Sequence, residues 1–438
     1  MPENFVNVLV VGSGGREHAF VDVLSRSSGV GRIYAAPGNG GMAGLAECVP
    51  VPVTDVEGLI GLAQAQEVGL VVVGPEGPLV AGLVDALEAV GIPTLGPSKA
   101  AAQLEGSKAF CKDLCRRARI PTAAYKTFNS AAEALSYCEG HDRWPSVIKA
   151  DGLAAGKGVV IVHDSTMAIA AVRDMMLNKH FGDAGDRIVI EDFLVGEELS
   201  MIALVDGETV AVLEPSRDHK AAFDGDKGPN TGGMGAFSPT RLLTNRIYEQ
   251  IEERVLLPTV HALAGAGTPY RGILYAGLML TADGPYVLEF NVRGGDPEME
   301  VLLPRLKSDA LALFLAAATG TLDDFGAVEW NPQHACGVVI ADGGYPGPVT
   351  KGLSISGTDA AAELDDVFVY HAGTKLENGQ LVTNGGRVLC VTGLGDSLQA
   401  ARDKAYEAVS LIHFENMRCR SDIGWRELTD QASMAGAG

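Results

Sequence analysis

Val147-Ile-Lys149-Ala-Asp-Gly152-Leu-Ala-Ala-Gly156-Lys157-Gly158-Val-Val-Ile-Val162 decides how the chain is read. Two β-branched runs flank a loop that carries three glycines, with Lys149 and Lys157 beside them. Glycine lets a backbone turn sharply and approach phosphate oxygens, and lysine neutralises their charge. The spacing is not that of a P-loop: three residues separate Gly152 from Gly156, and Lys157 precedes Gly158 rather than Ser or Thr. The following segment is strand-like. A glycine-rich hairpin predicts a cover closing over a nucleotide, although an ordinary hairpin with a solvated lysine turn has the same local signature.

The 438 residues allow about three domains. With 47% apolar residues there is material for several cores, and a net charge of −21 argues against a nucleic-acid surface. Anionic ligands therefore depend on local Lys, Arg and backbone N–H groups. Seven scattered cysteines do not form a disulfide framework, and Cys111 and Cys115 have the wrong spacing for a CxxC zinc site. No signal peptide or membrane-length apolar run is recognisable, so a cytoplasmic protein without membrane or nucleic-acid partners is expected.

Asn7 to Val11 is a β-branched run leading into Gly12-Ser-Gly14-Gly15-Arg16-Glu17-His18 and a helical pattern. Free N–H groups at such a turn suit a phosphate, but Glu17 occupies the third glycine position of a dinucleotide fingerprint. Similar units end at Pro37-Gly38-Asn39, Gly74-Pro75-Glu76 and Gly96-Pro97. Their repetition predicts an open parallel sheet with ligand loops along its carboxyl edge. A helix is expected over Lys99 to Arg117, and a strand over Ile188 to Leu194 ends in acidic residues.

Glu214 to Pro239 is expected to be a long functional loop, since it is polar and lacks periodicity. In Pro285 to Arg293, alternation places Glu289 and Asn291 on one face and Leu288 and Phe290 towards the core. Two hard oxygen donors at that spacing fit magnesium bridging nucleotide phosphates. Arg293, Asp296 and Glu298 crowd the turn that follows. From Trp330, short strands and a helix over Ser397 to Ile412 predict a small α+β domain.

Together with Gln103-Leu-Glu-Gly-Ser-Lys108, Gly228-Pro-Asn-Thr-Gly-Gly-Met-Gly235, Asp296-Pro-Glu298 and His371-Ala-Gly-Thr374, these segments resemble the phosphoribosylamine–glycine ligases, also called glycinamide ribonucleotide synthetases. These are ATP-grasp enzymes of purine biosynthesis, and the resemblance runs from Val8 to about Leu428. It implies an N-terminal substrate domain over 1–103 and an ATP-grasp unit over 104–329 with a glycine-rich lid at about 123–195. A C-terminal domain over 330–430 and a frayed tail over 431–438 complete the chain.

By the same resemblance, Lys108 and Lys149 would meet the ATP phosphates, with Gly152, Gly156, Lys157 and Gly158 closing over them. Glu191, Asp192, Phe193 and Leu194 would meet adenine, and Glu198 the ribose hydroxyls. Glu289 and Asn291 would bind Mg2+ or Mn2+, and Arg293, Asp218, Lys220 and Asp296 would serve catalysis. Phosphoribosylamine would be held by Gly14, Gly15, Arg16, Glu17, Pro37, Gly38, Asn39, Gly74, Pro75 and Glu76. Asn230, Thr231, Gly232, Gly233 and Met234 would join them from the polar segment. A monomer or weak dimer acting on small molecules is expected.

The implied reaction joins glycine to phosphoribosylamine through a glycyl phosphate, with ADP and phosphate released. One departure stands out. The family usually has Arg-Phe-Gly-Asp-Pro-Glu where this chain has Arg293-Gly294-Gly295-Asp296-Pro297-Glu298, and often glutamine where it has Glu300. A wider amino-acid pocket or a changed geometry there is the expected consequence in an otherwise ordinary member, and a ligase using another small acid or amine is the alternative. A nicotinamide oxidoreductase is disfavoured by Glu17, and a silent nucleotide binder by Lys149, Glu289, Asn291 and Arg293 together.

Overall fold

The computed structural model describes residues 5–153 and 158–429; the expected lid residues Gly156 and Lys157, and the tail from 430, lie outside the described residues. Strands Val6–Gly12, Val30–Pro37, Glu47–Cys48, Val68–Val73 and Thr94–Leu95 form an all-parallel sheet, in the order third, second, first, fourth, fifth. Its central strand is buried on both faces, as Val8 to Val11 show with no exposed surface. Because successive crossovers leave that strand on opposite sides, its Gly12–Gly15 turn sits where the strand order reverses. Ligands enter open α/β sheets at such a point.

Two antiparallel sheets follow. The first has the order Tyr125–Phe128, Ile188–Asp192, Ser146–Ala150, Val159–Val162, so the glycine loop does join two paired strands. The second has the order Val210–Val212, Glu197–Asp206, Arg271–Thr281, Gly284–Asn291. The helix expected over Lys99 to Arg117 is two helices, Gln103–Gly106 and Lys108–Ala118. Ser107 is extended between them and its Oγ caps the second by accepting from the Phe110 N–H.

The strand carrying Glu289 departs from simple alternation. Val287 faces Leu278 and Glu289 faces Gly277, leaving Leu288 as a bulge. Val287 and Phe290 enter the core, while Leu288 turns to the adjoining cavity rather than inward as expected.

The segment Glu214 to Pro239 is not a loop. It contains the strands Arg217–Asp218, Ala221–Phe223, Lys227–Asn230 and Gly235–Ser238. Gly235–Ser238 pairs with Arg217–Asp218 on one side and with His334–Asp342 on the other. The C-terminal sheet continues through Arg387–Gly395 to Val367–His371, with helix Leu398–Leu411 packed against it. Its edge is thus supplied from the middle of the chain. No helix among the described residues is long and apolar enough to cross a membrane, and all seven cysteines are free.

Candidate active site

The carboxyl edge of the N-terminal sheet, the two antiparallel sheets and the C-terminal sheet enclose a cavity of about 590 Å³. Seven basic side chains line it against six carboxylates, a local excess of positive charge in an acidic protein. Lys108 and Lys149 reach it from the first helix turn after Ser107 and from the strand Ser146–Ala150. Lys149 Nζ donates to the Leu288 carbonyl at 3.0 Å and pairs with Glu191, which also pairs with Lys112. All three of these charged residues are buried. Burial opposes the Lys149 charge, but Glu191 outweighs it and raises the ammonium above its ordinary range.

Glu289 and Asn291 line the same cavity. Arg293 Nη2 donates to Asn291 Oδ1 and to Glu105 Oε1, both at 3.0 Å, and its Nε lies 3.4 Å from Glu76 Oε2. Glu105 also accepts from the Val292 N–H at 2.7 Å, so it splints the turn after the strand. Burial pushes its carboxyl up to about 6 despite Arg293. The neighbouring acids Glu76 and Glu105 are thus committed to Arg293, and Glu298 accepts from Tyr275 Oη at 2.9 Å. Glu289, together with Asn291, whose Oδ1 also accepts from Arg293, offers a two-oxygen donor set that fits a hard divalent ion with waters and phosphate oxygens as its other ligands.

Lys220 and Asp218 form one wall, with Lys220 Nζ donating to Asp218 Oδ2 at 2.7 Å. Both also line an adjoining cavity of about 330 Å³ with Phe193, Leu194, Glu198 and Asn230. On the opposite side, Gly14, Pro37, Gly38 and Asn39 line a third cavity, of about 840 Å³, against Thr374, Lys375 and Asn384 of the C-terminal domain. Asp296 and Arg387 line both this cavity and the first. They stand at the passage between the two.

The glycine turn owes its shape to Glu17, which is buried beneath it. Glu17 Oε2 accepts from the Gly14 N–H, and a Cβ on Gly74 would lie 2.0 Å from Glu17 Oε1. Asn39 Nδ2 donates to the Ser13 carbonyl at 3.0 Å and to the His371 carbonyl at 2.6 Å, tying the turn to the C-terminal sheet. Across the passage, Gly233 has a φ of +120° and a Cβ there would meet Pro297 Cδ at 2.4 Å, so only glycine lets this loop lie on Asp296–Pro297.

Models of the phosphoribosylglycinamide synthetase N domain, ATP-grasp (A) domain and C domain match residues 6–105, 106–299 and 335–426. The chain belongs to the phosphoribosylglycinamide synthetase family. It is 51% identical to a phosphoribosylamine–glycine ligase of Allochromatium vinosum, over 98% of this chain and 100% of that one. A phosphoribosylamine–glycine ligase of Caulobacter vibrioides is also 51% identical, over 97% and 99%. The crystal structure of the Thermotoga maritima phosphoribosylamine–glycine ligase superposes with a TM-score of 0.82 at 34% identity, covering 95% of this chain and 100% of that one.

The phosphoribosylglycinamide synthetase architecture brings together in the first cavity Arg16, Pro75, Glu76, Lys108, Lys149, Gly158, Asp218, Lys220, Thr231, Gly232, Glu289, Asn291, Arg293 and Asp296. Gly15, Glu17, Gly74, Glu191, Asp192, Gly233 and Met234 line none of the three cavities. Asp192 is paired with Arg143 at 3.1 Å. Gly152 packs on Ala184, and its carbonyl accepts from Lys108 Nζ at 3.2 Å. Arg16 is buried, bonded to Glu17 and to the Gly294 carbonyl.

Gly294 does not widen the pocket as expected for a phosphoribosylglycinamide synthetase lacking the usual aromatic residue. A Cβ there would lie 2.7 Å from Met299 Cγ, 3.2 Å from Arg16 Cδ and 3.3 Å from Phe20 Cζ, and the residue lines neither main cavity. Met299 and Phe20 have filled the space. Sequence reasoning passed over Lys112, Glu105 and Arg387. The i, i+4 spacing of Lys108 and Lys112 on one helix face was a readable signal for the first. Arg387 had none, because its partner Asp296 is remote in sequence.

Proposed function

We propose that this chain joins glycine to 5-phosphoribosylamine at the expense of ATP, giving glycinamide ribonucleotide, ADP and phosphate in purine biosynthesis. The observation that carries the reading is the pair of cavities meeting at Asp296 and Arg387. One is the basic pocket with the Glu289–Asn291 oxygen pair; the other lies against the glycine turn of the N-terminal sheet. Such a pair suits a reaction in which a carboxylate is activated in one place and captured by an amine arriving from another.

A carboxylate is a poor electrophile. A glycine carboxylate oxygen attacks the ATP γ-phosphorus, ADP leaves, and the amine nitrogen then displaces phosphate from the acyl carbon and loses a proton. The protein supplies position and charge neutralisation rather than a covalent nucleophile. In this reading Lys108 and Lys149 hold phosphate oxygens, Phe193 and Leu194 border the base, and Glu198 faces the ribose. Arg293 steadies the activated carboxylate. Glu289 and Asn291 would hold Mg2+ or Mn2+, which when bound neutralises phosphoryl charge. The ligands of phosphoribosylamine are the glycine turn, Asn39, the Thr231–Gly232 backbone and Arg387. We place the enzyme in the cytoplasm, as a monomer or weak dimer acting on small molecules alone.

The test is ADP release with magnesium and ATP, offering glycine and phosphoribosylamine generated in place from ribose 5-phosphate and ammonia. Turnover requiring both and preferring glycine over alanine, serine and β-alanine is expected. Preference for another acid would overturn the assignment of glycine, and ADP release without an amine would overturn the coupling of the two cavities.

A further inference from the structure

Glu300 lies on the short helix Met299–Leu302, behind the passage where Asp296 and Arg387 meet. Only 1% of it is exposed, and its Oε2 is buried with no hydrogen-bond partner. The N-terminal helix closes over it, since a Cβ on Gly15 would lie 2.5 Å from Glu300 Oε1. From the other side Thr392 Oγ1 donates to the Glu300 carbonyl at 2.9 Å and pins the helix. The carboxyl group of Asp296 stands beside it under the same turn, since a Cβ on the preceding Gly14 would lie 3.2 Å from Asp296 Oδ2.

The charged and titratable groups around this pair are few. Glu298 and Arg293 share its segment, Arg16 and Glu17 come from the N-terminal helix, and Arg387 and Cys390 from the long C-terminal strand, with Tyr370 on the strand beside it. Arg16 and Arg387 both have other partners. Arg16 bonds Glu17 and the Gly294 carbonyl, and Arg387 Nη1, 3.0 Å from Asp296 Oδ1, also donates to the Gly232 and Asp296 carbonyls. Two carboxyl groups touching in a buried site share a proton, because both cannot be ionised. Asp296 holds the arginine, so the proton belongs to Glu300. Burial and the Asp296 charge push the Glu300 carboxyl well above its usual range. Burial opposes the Asp296 charge, yet Arg387 and Arg16 keep that carboxyl below its usual range.

We propose that Glu300 is a positioning residue acting as a neutral acid: it donates its hydrogen to the Asp296 carboxylate and so fixes Asp296 across the passage between the two cavities. The proposal rests on the reading of that passage given under the proposed function. An amide at this place would donate the same bond with no proton to lose. Once Glu300 ionises, two like charges face each other and Asp296 is driven from its place beside Arg387. Activity that depends on Asp296 therefore falls on the alkaline side.

The experiment compares the full chain with Glu300→Gln and Glu300→Ala from about pH 6 to 9.5, a span above the ordinary carboxyl range. Two quantities are read: kcat/KM for phosphoribosylamine at saturating ATP and glycine, and the thermal midpoint without ligands. The amine's own titration is common to all variants and cancels in their ratio. The expected ratio of Glu300→Gln to the parent rises with pH, approaching about tenfold per pH unit once Glu300 ionises. Glu300→Ala, lacking a donor, shows a KM for phosphoribosylamine raised about tenfold and an unchanged KM for ATP.

In the melts, an acid whose folded pKa exceeds its unfolded value loses stability as pH rises between the two. The midpoint of Glu300→Gln should therefore climb relative to the parent with increasing pH. Parallel activity profiles and a constant gap in midpoint overturn the proposal, as does a Glu300→Gln variant as impaired as Glu300→Ala. Absence of ligase turnover in the parent would overturn the proposed function instead, and the melts would still decide where the proton lies.

Discussion

Arg387 Nη1 lies 3.0 Å from Asp296 Oδ1 and donates to the Asp296 carbonyl at 2.7 Å and to the Gly232 carbonyl at 2.8 Å. One guanidinium thereby joins the C-terminal sheet, the turn after the Glu289–Asn291 strand and the Thr231–Met234 loop. Arg387→Ala is expected to lower kcat/KM for phosphoribosylamine by about a hundredfold, with the KM for ATP little changed. Arg387→Lys should recover only part, since an ammonium cannot reproduce the fork of donors. Steady-state kinetics with each substrate varied in turn checks both.

Glu191 is clamped between Lys112 and Lys149, all three being buried. Glu191→Gln leaves two buried ammonium groups facing a neutral amide, and breaking such a pair costs about 3 kcal/mol. Urea unfolding should show that loss, accompanied by a raised KM for ATP because Lys149 is no longer held over the cavity.

Gly294→Phe is expected to destabilise the protein rather than improve it. Met299, Arg16 and Phe20 occupy the space a side chain would need, and overpacking of this kind costs about 1–3 kcal/mol. Thermal melts should show the loss, and adding Met299→Ala should recover part of it.

His18 Nδ1 accepts from the His371 N–H at 2.8 Å at the seam between the N- and C-terminal domains. Burial lowers the pKa of His18 to about 3, with help from His371, and burial lowers that of His371 to about 4. Unfolded histidine takes up its proton near pH ~6.5, so stability is complete above that value and lost as pH falls towards 4. Each ring contributes a slope of about 1.4 kcal/mol per pH unit in that window. Urea titrations of the parent and of His18→Asn, which removes one of the two protons taken up, would measure it.

The parallel sheet was legible because its β-branched runs are short, continuous and closed by glycine turns. Glu289 and Asn291 were legible from alternation, and they do share the cavity. Leu288 was misplaced for the same reason, since a bulge has no signature in a run of apolar residues. The segment from Glu214 to Pro239 looked like a loop because its strands are two to four residues long and take their partners from elsewhere. Periodicity cannot register so short an element. No wider pocket opens at Gly294 because the space beside it is filled by Met299 and, from the first helix, by Arg16 and Phe20, the latter two being contacts between distant parts of the chain. Glu191 was expected at adenine because nothing local reveals that Lys112 and Lys149 converge on it.

The strand Gly235–Ser238, taken from the middle of the chain into the C-terminal sheet, welds two regions that a linear map would separate. Cutting near residue 330 would release no independent module; it would strip His334–Asp342 of a neighbour and expose a raw edge prone to pairing with other chains. The weld also divides the walls of the site. Arg217–Asp218 pairs with Gly235–Ser238, so the wall bearing Asp218 belongs to the C-terminal sheet. The strands around Lys149 belong to a different sheet. Anyone recombining pieces of this enzyme would have to move 197–429 as one block, because Glu197–Asp206 pairs along its whole length with Arg271–Thr281.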